Sequence, residues 1–170
     1  MCGGVEYTWE NQTIRTYFPN PNAKLPVLRK DGELELVTWG RRNEENTPQS
    51  EGFPINGWIR YETYLNPESS WRKFRHKEVK ILVPHFMEKD ESGKSHWFSL
   101  QNQEYIRGIL IVLNGLWRVY VLTGEPPKTA TPYLSDQNSM GDLFGALDTE
   151  PVRIHHRWPL TGHFSLEKAR

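Results

Sequence analysis

The residue with the most distinctive chemistry is Cys2, the single cysteine of the chain, which follows Met1 and precedes Gly3. A small residue after methionine permits removal of Met1, which leaves an α-amine and a thiol on one residue. These groups titrate at about 7.7–8.0 and about 8.5 in unperturbed chains, so both react at neutral pH. An aldehyde condenses with the amine to an imine, and the thiol then closes a thiazolidine ring. Cys2 therefore suggests a covalent nucleophile for aldehydes, although a cysteine without a role at this position is an equal alternative.

The remaining composition excludes several classes of protein. Lone thiols form no intramolecular disulfide, and the histidines show no metal-ligand spacing, so we infer no metal and no cofactor. The 21 basic and 21 acidic residues give zero net charge, which argues against sequence-blind nucleic-acid binding over the whole surface but permits a local basic groove. We expect no secretory signal and no membrane span, and with a free thiol we therefore expect a cytoplasmic protein. The small size and zero net charge favour a monomer.

Strand patterns dominate the chain, whose 170 residues fit one domain, 1–170. Half-buried or buried strands are predicted at 32–39, 79–83, 105–122 and 152–154. The dipeptide Asn114-Gly115 divides the third of these into a hairpin. Long loops are predicted at 43–57 and 124–139. The fold class that follows is α+β, a single, mainly antiparallel and barrel-like β-sheet domain with a few short helices.

Two short helices are predicted. Asn66 is a good N-cap, with Pro67 at the first helical position and with Trp71 and Phe74 on one face. Apolar residues at 140, 143, 144 and 147 have the spacing of an amphipathic helix.

Six short motifs follow one another along residues 1 to about 160. They are Met1-Cys2-Gly3, Trp39-Gly40, Arg60-Tyr61-Glu62-Thr63, Leu82-Val83-Pro84 with Phe86-Met87-Glu88-Lys89, Gly115-Leu116-Trp117, and Ile154-His155-His156-Arg157-Trp158-Pro159. Through these motifs the chain resembles the SRAP family, the SOS-response-associated peptidase fold that protects abasic sites in DNA. It resembles a short, divergent member, because it has Gly4 where the family has Arg, lacks the family's Tyr and Trp on either side of Glu88, and is shorter than typical members after Pro159.

The resemblance implies a function and a role for single residues. Cys2 would crosslink to the aldehyde of an abasic site in single-stranded DNA, next to the nucleoid during repair. Glu88 would move protons during imine formation and could assist autocatalytic, peptidase-like removal of residues before Cys2. His155 would protonate the oxygen of the opened sugar and influence reversal of the crosslink, a lyase-like activity.

The resemblance also implies contacts with DNA. Arg60 would contact phosphate, and Trp39 could stack on a base. The family holds the sugar with an Asn two residues before this Arg, where the present chain has Trp58, and Asn56 is near but at another offset. A groove lined by arginines and tryptophans would suit single-stranded DNA, although the tryptophans would equally suit the core. The predicted DNA-contacting residues are Trp39, Arg41, Asn56, Trp58, Arg60 and Arg157.

The chemistry can also be judged without the resemblance. Imine formation needs an acid to expel water and a base to deprotonate the amine. Glu88 follows a buried-looking strand, and burial raises a carboxyl pKa toward neutrality, but a surface Glu paired with Lys89 fits the sequence too. His155 has the residue type for acid–base work, as does His156, while a capped structural histidine is the alternative.

Two other functions remain open at this stage. Class II glutamine amidotransferases also begin Met-Cys-Gly, so an N-terminal-nucleophile amide hydrolase is possible, although its glutamine-binding motifs are not evident here. A catalytically idle module that binds single-stranded DNA would explain the loss of the sugar-holding Asn.

Overall fold

Alternating apolar residues place two β-sheets around one core. The computed structural model describes residues 3–133 and 150–165. The first nine strands are β1 (Gly4–Trp9), β2 (Gln12–Tyr17), β3 (Lys24–Leu28), β4 (Leu34–Trp39), β5 (Trp58–Arg60), β6 (Arg75–Ile81), β7 (His85–Lys89), β8 (Ser95–Ser99) and β9 (Glu104–Leu113). The others are β10 (Leu116–Gly124), β11 (Thr129–Ala130), β12 (Val152–Arg153), β13 (Trp158–Pro159) and β14 (Thr161–His163).

Five strands close into a barrel. Strand β10 pairs with β9 in antiparallel and with β4 in parallel register, and β3 and β6 complete the ring between β4 and β9. Strands β5, β13 and β14 extend this sheet. Because side chains alternate along each strand, Val119 and Val121 of β10 face the main core while Tyr120 and Leu122 face a second cluster outside it.

A second, four-stranded sheet has the order β2-β1-β7-β8 and is antiparallel throughout. Its inner face contributes Val5, Tyr7, Phe86 and Phe98 to the main core, where each is at most 4% exposed. The central pairing joins Gly4–Glu6 to His85–Met87, two segments about eighty residues apart in the chain. The start of the described chain is thereby held inside the domain.

The predicted fold class is confirmed, and most strand predictions are also confirmed. β4 coincides with the predicted strand 32–39 except for its first two residues, and β9 and β10 form the predicted hairpin. Asn114 and Gly115 both have positive φ, 54° and 74°, as a two-residue turn of this type requires. β6 overlaps the predicted strand 79–83 only at 79–81, because it begins four residues earlier, at Arg75, and ends two residues earlier, at Ile81.

The helix predicted after Asn66 is wrong. The only α-helix of the described residues, α1 (Tyr61–Leu65), ends rather than begins at Asn66. A 3₁₀ helix follows at Ser70–Lys73, and there the N-cap is Ser69, whose hydroxyl accepts from the Trp71 amide. The predicted helix does not form because β6 begins at Arg75, and the pairing of β6 with β9 holds the chain in an extended conformation from there onward. The helix predicted at 140–147 lies outside the described residues.

Both predicted loops contain little regular structure. Residues 43–57 form no named strand or helix, and this loop closes against β4 through an isolated bridge between Arg41 and Asn56. Of the loop 124–139, the described part contains the short strand β11, paired with β12. None of the helices in the described part of the chain has the length and apolar character needed to cross a bilayer.

Gly40 allows β4 to meet the 43–57 loop closely. Its φ is +56°, and a Cβ added there would lie 2.1 Å from the Asn56 carbonyl oxygen. Gly32 has a similar φ, +85°, but a Cβ there meets no atom within 4 Å. Substitutions at Gly40 and Gly32 therefore distinguish the cost of steric overlap from the cost of backbone strain alone.

We predict that Gly40→Ala destabilises the protein by about 2 kcal/mol more than Gly32→Ala, because only Gly40→Ala combines strain with overlap against backbone. Urea unfolding of both variants measures the difference. Equal losses would show that the loop moves away from Gly40 without cost.

Candidate active site

The point where Cys2 joins the described chain is fixed by two backbone hydrogen bonds of Gly3. The Gly3 amide donates to the Met87 carbonyl at 3.2 Å, and the Phe18 amide donates to the Gly3 carbonyl at 3.1 Å. Gly3 therefore lies between the end of β2 and the Met87–Glu88 peptide. Cys2 itself lies outside the described residues, so its predicted role as nucleophile stays a prediction.

Glu88 is buried on the inner face of β7, with 1% of its surface exposed. Burial raises the pKa of its carboxyl group from 4.5 to about 8, because the anion loses hydration. The alternative of a surface carboxylate paired with Lys89 is thus wrong, and the expected burial is confirmed. A carboxyl group with this pKa exists in both protonation states near neutral pH, as an acid–base group must.

His155 lies near the same end of β7 but faces outward. The residue before it, Ile154, is 7% exposed and forms an isolated bridge with Asp90, two residues after Glu88. The imidazole of His155 is 68% exposed, and its Nε2 lies 3.9 Å from Glu91 Oε1. His155 is therefore accessible at the rim of the site, as is its exposed neighbour His156.

A second histidine, His96, lies much closer to Glu88 in the fold than sequence reasoning indicated. His96 is the register partner of Glu88 across β7 and β8, and only 6% of it is exposed. Its Nε2 is 2.6 Å from Asp90 Oδ2. The signal was the turn at Asp90–Gly93, because a hairpin centred there aligns residue 96 with residue 88.

On the other side of Gly3 lies an aromatic cleft of about 560 Å³, which we call the Trp58 cleft. Phe18 packs edge-to-face on Trp58 with ring centroids 5.1 Å apart. Asn56 contributes to the wall, and its side-chain oxygen accepts from the Gly57 amide at 2.9 Å. The lining residues are Phe18, Pro19, Arg41, Arg42, Asn43, Glu44, Ile55, Asn56 and Trp58.

Trp39 does not line this cleft, and the predicted stacking of Trp39 on a base is wrong. The side chain is fully buried, and its indole N–H donates to the Gly57 carbonyl at 2.9 Å. Trp158 is half-buried and packs edge-to-face on Phe86 and Phe98. Of the candidate stacking residues, Trp58 is therefore the one in an open cleft.

The three predicted DNA-contacting arginines differ in their surroundings. Arg60 is exposed at the end of β5. Arg41 donates to the Phe53 and Glu45 carbonyls, which ties the 43–57 loop to the end of β4.

Arg157 is held by acidic side chains and by the backbone. Its Nη2 contacts both carboxylate oxygens of Glu62 at 2.9 and 2.8 Å, and its Nη1 contacts Glu125 at 2.8 Å. The hydrogen bond from Arg157 also lowers the pKa of Glu62. Arg41 and Arg157 are thus engaged in contacts within the protein, whereas Arg60 is exposed at the end of β5.

Residues 3–133 and 150–165 contain no group of three or more His, Cys, Asp or Glu side chains that could hold a metal ion.

In comparisons with known proteins, no family model, no curated protein and no solved structure matches the chain. The assignment of a function therefore depends on the geometry of the site and on the sequence motifs.

We predict that the free energy of unfolding falls as pH rises from about 4.5 to about 8, by at most about 1.4 kcal/mol per pH unit from this group. The folded state binds the Glu88 proton more tightly than the unfolded state, so raising the pH through this window removes stability. Glu88→Gln should abolish this component, whereas exposed Glu68→Gln should retain it. Urea unfolding between pH 5 and pH 9 tests the slope, and equal slopes for all three proteins would contradict the assignment.

Proposed function

We propose that this protein captures abasic sites in single-stranded DNA as a covalent thiazolidine adduct of Cys2, after removal of Met1. The observation that carries the proposal is the hydrogen bond from Gly3 to the peptide that precedes Glu88. It ties the attachment point of Cys2 to a buried carboxyl group of raised pKa. Cys2 is covalently bonded to Gly3, which this hydrogen bond holds against β7.

The proposed reaction proceeds in two stages. The α-amine of Cys2 attacks the aldehyde carbon of the opened sugar, and the resulting carbinolamine loses water to give an imine. The thiol sulfur then bonds to the imine carbon, and the thiol proton passes to the nitrogen. No oxidant or reductant is needed, since the only other product is water.

Glu88 suits both proton transfers of the first stage. As a carboxylate it accepts the proton that the nitrogen loses when the amine adds to the aldehyde carbon, and as a carboxylic acid it donates one to the departing hydroxyl. A group whose pKa is about 8 supplies both forms near neutral pH. His155, which is 68% exposed at the rim, is suited to protonating the sugar oxygen released when the ring opens.

The Trp58 cleft and Arg60 provide the proposed path for the DNA. Trp58 and Phe18 offer aromatic surface beside Gly3, and stacking on a base contributes roughly 1–3 kcal/mol without regard to sequence. Arg60, at the end of the same strand β5, supplies a charge for phosphate. Trp58 occupies the position of the sugar-holding Asn of the SRAP family, so in this chain apolar contact replaces that hydrogen bond.

We predict that the purified protein forms a denaturant-resistant adduct with single-stranded DNA that contains one abasic site, and none with intact DNA. Cys2→Ala should abolish the adduct. Cys2→Ser should give an imine that survives only after borohydride reduction, because a hydroxyl closes the ring poorly. Glu88→Gln should slow adduct formation by about a hundredfold. Denaturing gels measure the adduct and its rate, and intact mass establishes that Cys2 is the first residue.

An absent adduct with Cys2 shown to be the first residue would refute the proposal. Retained binding to intact single-stranded DNA would then favour the idle binding module, and release of ammonia from glutamine would favour the amide hydrolase.

A further prediction concerns Arg60. Arg60→Ala should weaken binding of intact single-stranded DNA and reduce the slope of log affinity against log salt by about 0.7, the loss of one phosphate contact. Exposed Arg75, at the first position of β6, is the matched control. Fluorescence anisotropy at several salt concentrations gives both slopes, and an unchanged slope for Arg60→Ala would exclude the phosphate contact.

A further inference from the structure

The pair Asp90–His96 lies beside Glu88 and has no part in the reaction described above. Glu88 and His96 are directly paired across two antiparallel strands, and both are buried on the same inner face. Directly paired residues have Cβ atoms about 4.5–5.5 Å apart. The His96 imidazole is therefore a near neighbour of the Glu88 carboxyl group, and its Nε2 reaches along the strand to Asp90 Oδ2 at 2.6 Å.

Asp90 is held in place from several directions. Its Oδ1 accepts hydrogen bonds from the Ser92 amide, the Ser92 hydroxyl and the Lys94 amide at 2.9, 2.6 and 3.0 Å. These bonds belong to the β7–β8 turn and leave Oδ2 to His96. The backbone of Asp90 also bridges Ile154, the residue before His155. Asp90 thus joins the turn, the Glu88 strand and the segment that carries His155.

We propose that His96 is a positioning residue, which holds the Asp90 carboxylate away from Glu88 and thereby sets how readily Glu88 releases its proton. This inference deepens the proposed function and rests on it for its catalytic meaning. The turn alone does not require the contact, because the hydrogen bonds that the turn makes to the Asp90 carboxylate all end on its other oxygen.

The charges around Glu88 give the direction of the effect. Asp90 lies two residues after Glu88 along the chain, His96 is its register partner on β8, and the α-amine of the proposed function belongs to Cys2, which is bonded to Gly3. The 152–155 segment adds Arg153 and His155, both exposed, while Phe86, Phe98 and Trp158 on the core side carry no charge. Without the His96 donor, the negative charge of Asp90 is less compensated, and a nearby negative charge raises a carboxyl pKa.

The test compares His96→Leu, which removes the donor at similar volume, with His96→Gln, whose amide can donate to Asp90. In the full-length protein without DNA, carbon-13 NMR follows the titration of the Glu88 carboxyl group. His96→Leu should raise the pKa of Glu88 above that of the unsubstituted protein, and His96→Gln should restore it. Ser92→Ala, which removes a donor from the other oxygen of Asp90, is the matched control and should have the smaller effect.

Two outcomes would overturn the proposal: an unchanged Glu88 titration in folded His96→Leu, or equal shifts for His96→Leu and Ser92→Ala, which would indicate a role in the turn alone. Where His96→Leu does not fold, His96→Asn, whose amide is too short to reach Asp90, replaces it with the same expectation.

A second measurement relates the pair to the reaction. The pH of half-maximal adduct formation should move upward in His96→Leu together with the Glu88 pKa. The affinity of this variant for intact single-stranded DNA should stay within about twofold of that of the unsubstituted protein. An unmoved pH profile despite a shifted Glu88 would overturn the catalytic part of the inference. If no adduct forms with the unsubstituted protein, the proposed function fails, and the NMR titration still decides the role of His96.

Discussion

The antiparallel pairing of β1 with β7 is the constraint on which the candidate site depends. It joins Gly4–Glu6 to His85–Met87 and buries Val5 beside Phe86 in the core. Without it, the start of the chain and Glu88 would be unrelated, since about eighty residues separate them. Long-range pairing of this kind is stabilised by burial of the apolar face rather than by local preference. The alternation of Val5 and Tyr7 on one side of β1 therefore determines where Cys2 is attached.

Sequence patterns predicted the local structure better than the contacts between distant segments. Alternation and the Asn114-Gly115 turn were enough for β4, β9 and β10, because each pattern reports its own burial or turn geometry. The helix after Asn66 failed because the capping signals there are weaker than the pairing of β6 with β9, which extends the chain from Arg75. Capping contributes about 1 kcal/mol, and tertiary packing routinely exceeds that.

In the candidate site, too, features set by local sequence could be predicted and features set by distant segments could not. The burial of Glu88 could be expected from the apolar strand before it. The burial of Trp39 could not be read from its own position, since it depends on other segments: Phe18 packs against the indole, and the Gly57 carbonyl accepts from its N–H. The charge on an arginine is likewise evident from the sequence, but the acidic side chains that pair with it in the fold are not. Arg157 is neutralised by Glu62 and Glu125, which lie 95 and 32 residues away in the chain.

Burial of Glu88 is difficult to explain by stability alone. An uncharged or apolar side chain of similar size would fit the inner face of β7 without the loss of hydration that raises the pKa of this carboxyl group to about 8. His96 adds a second buried ionisable group to the same inner face, in contact with Asp90. A buried ionisable group with a shifted pKa, such as Glu88, is characteristic of sites that move protons. Stability is given up at the corner of the sheet where Gly3 ties the start of the described chain to β7, which is where the proposed nucleophilic amine would need a proton acceptor.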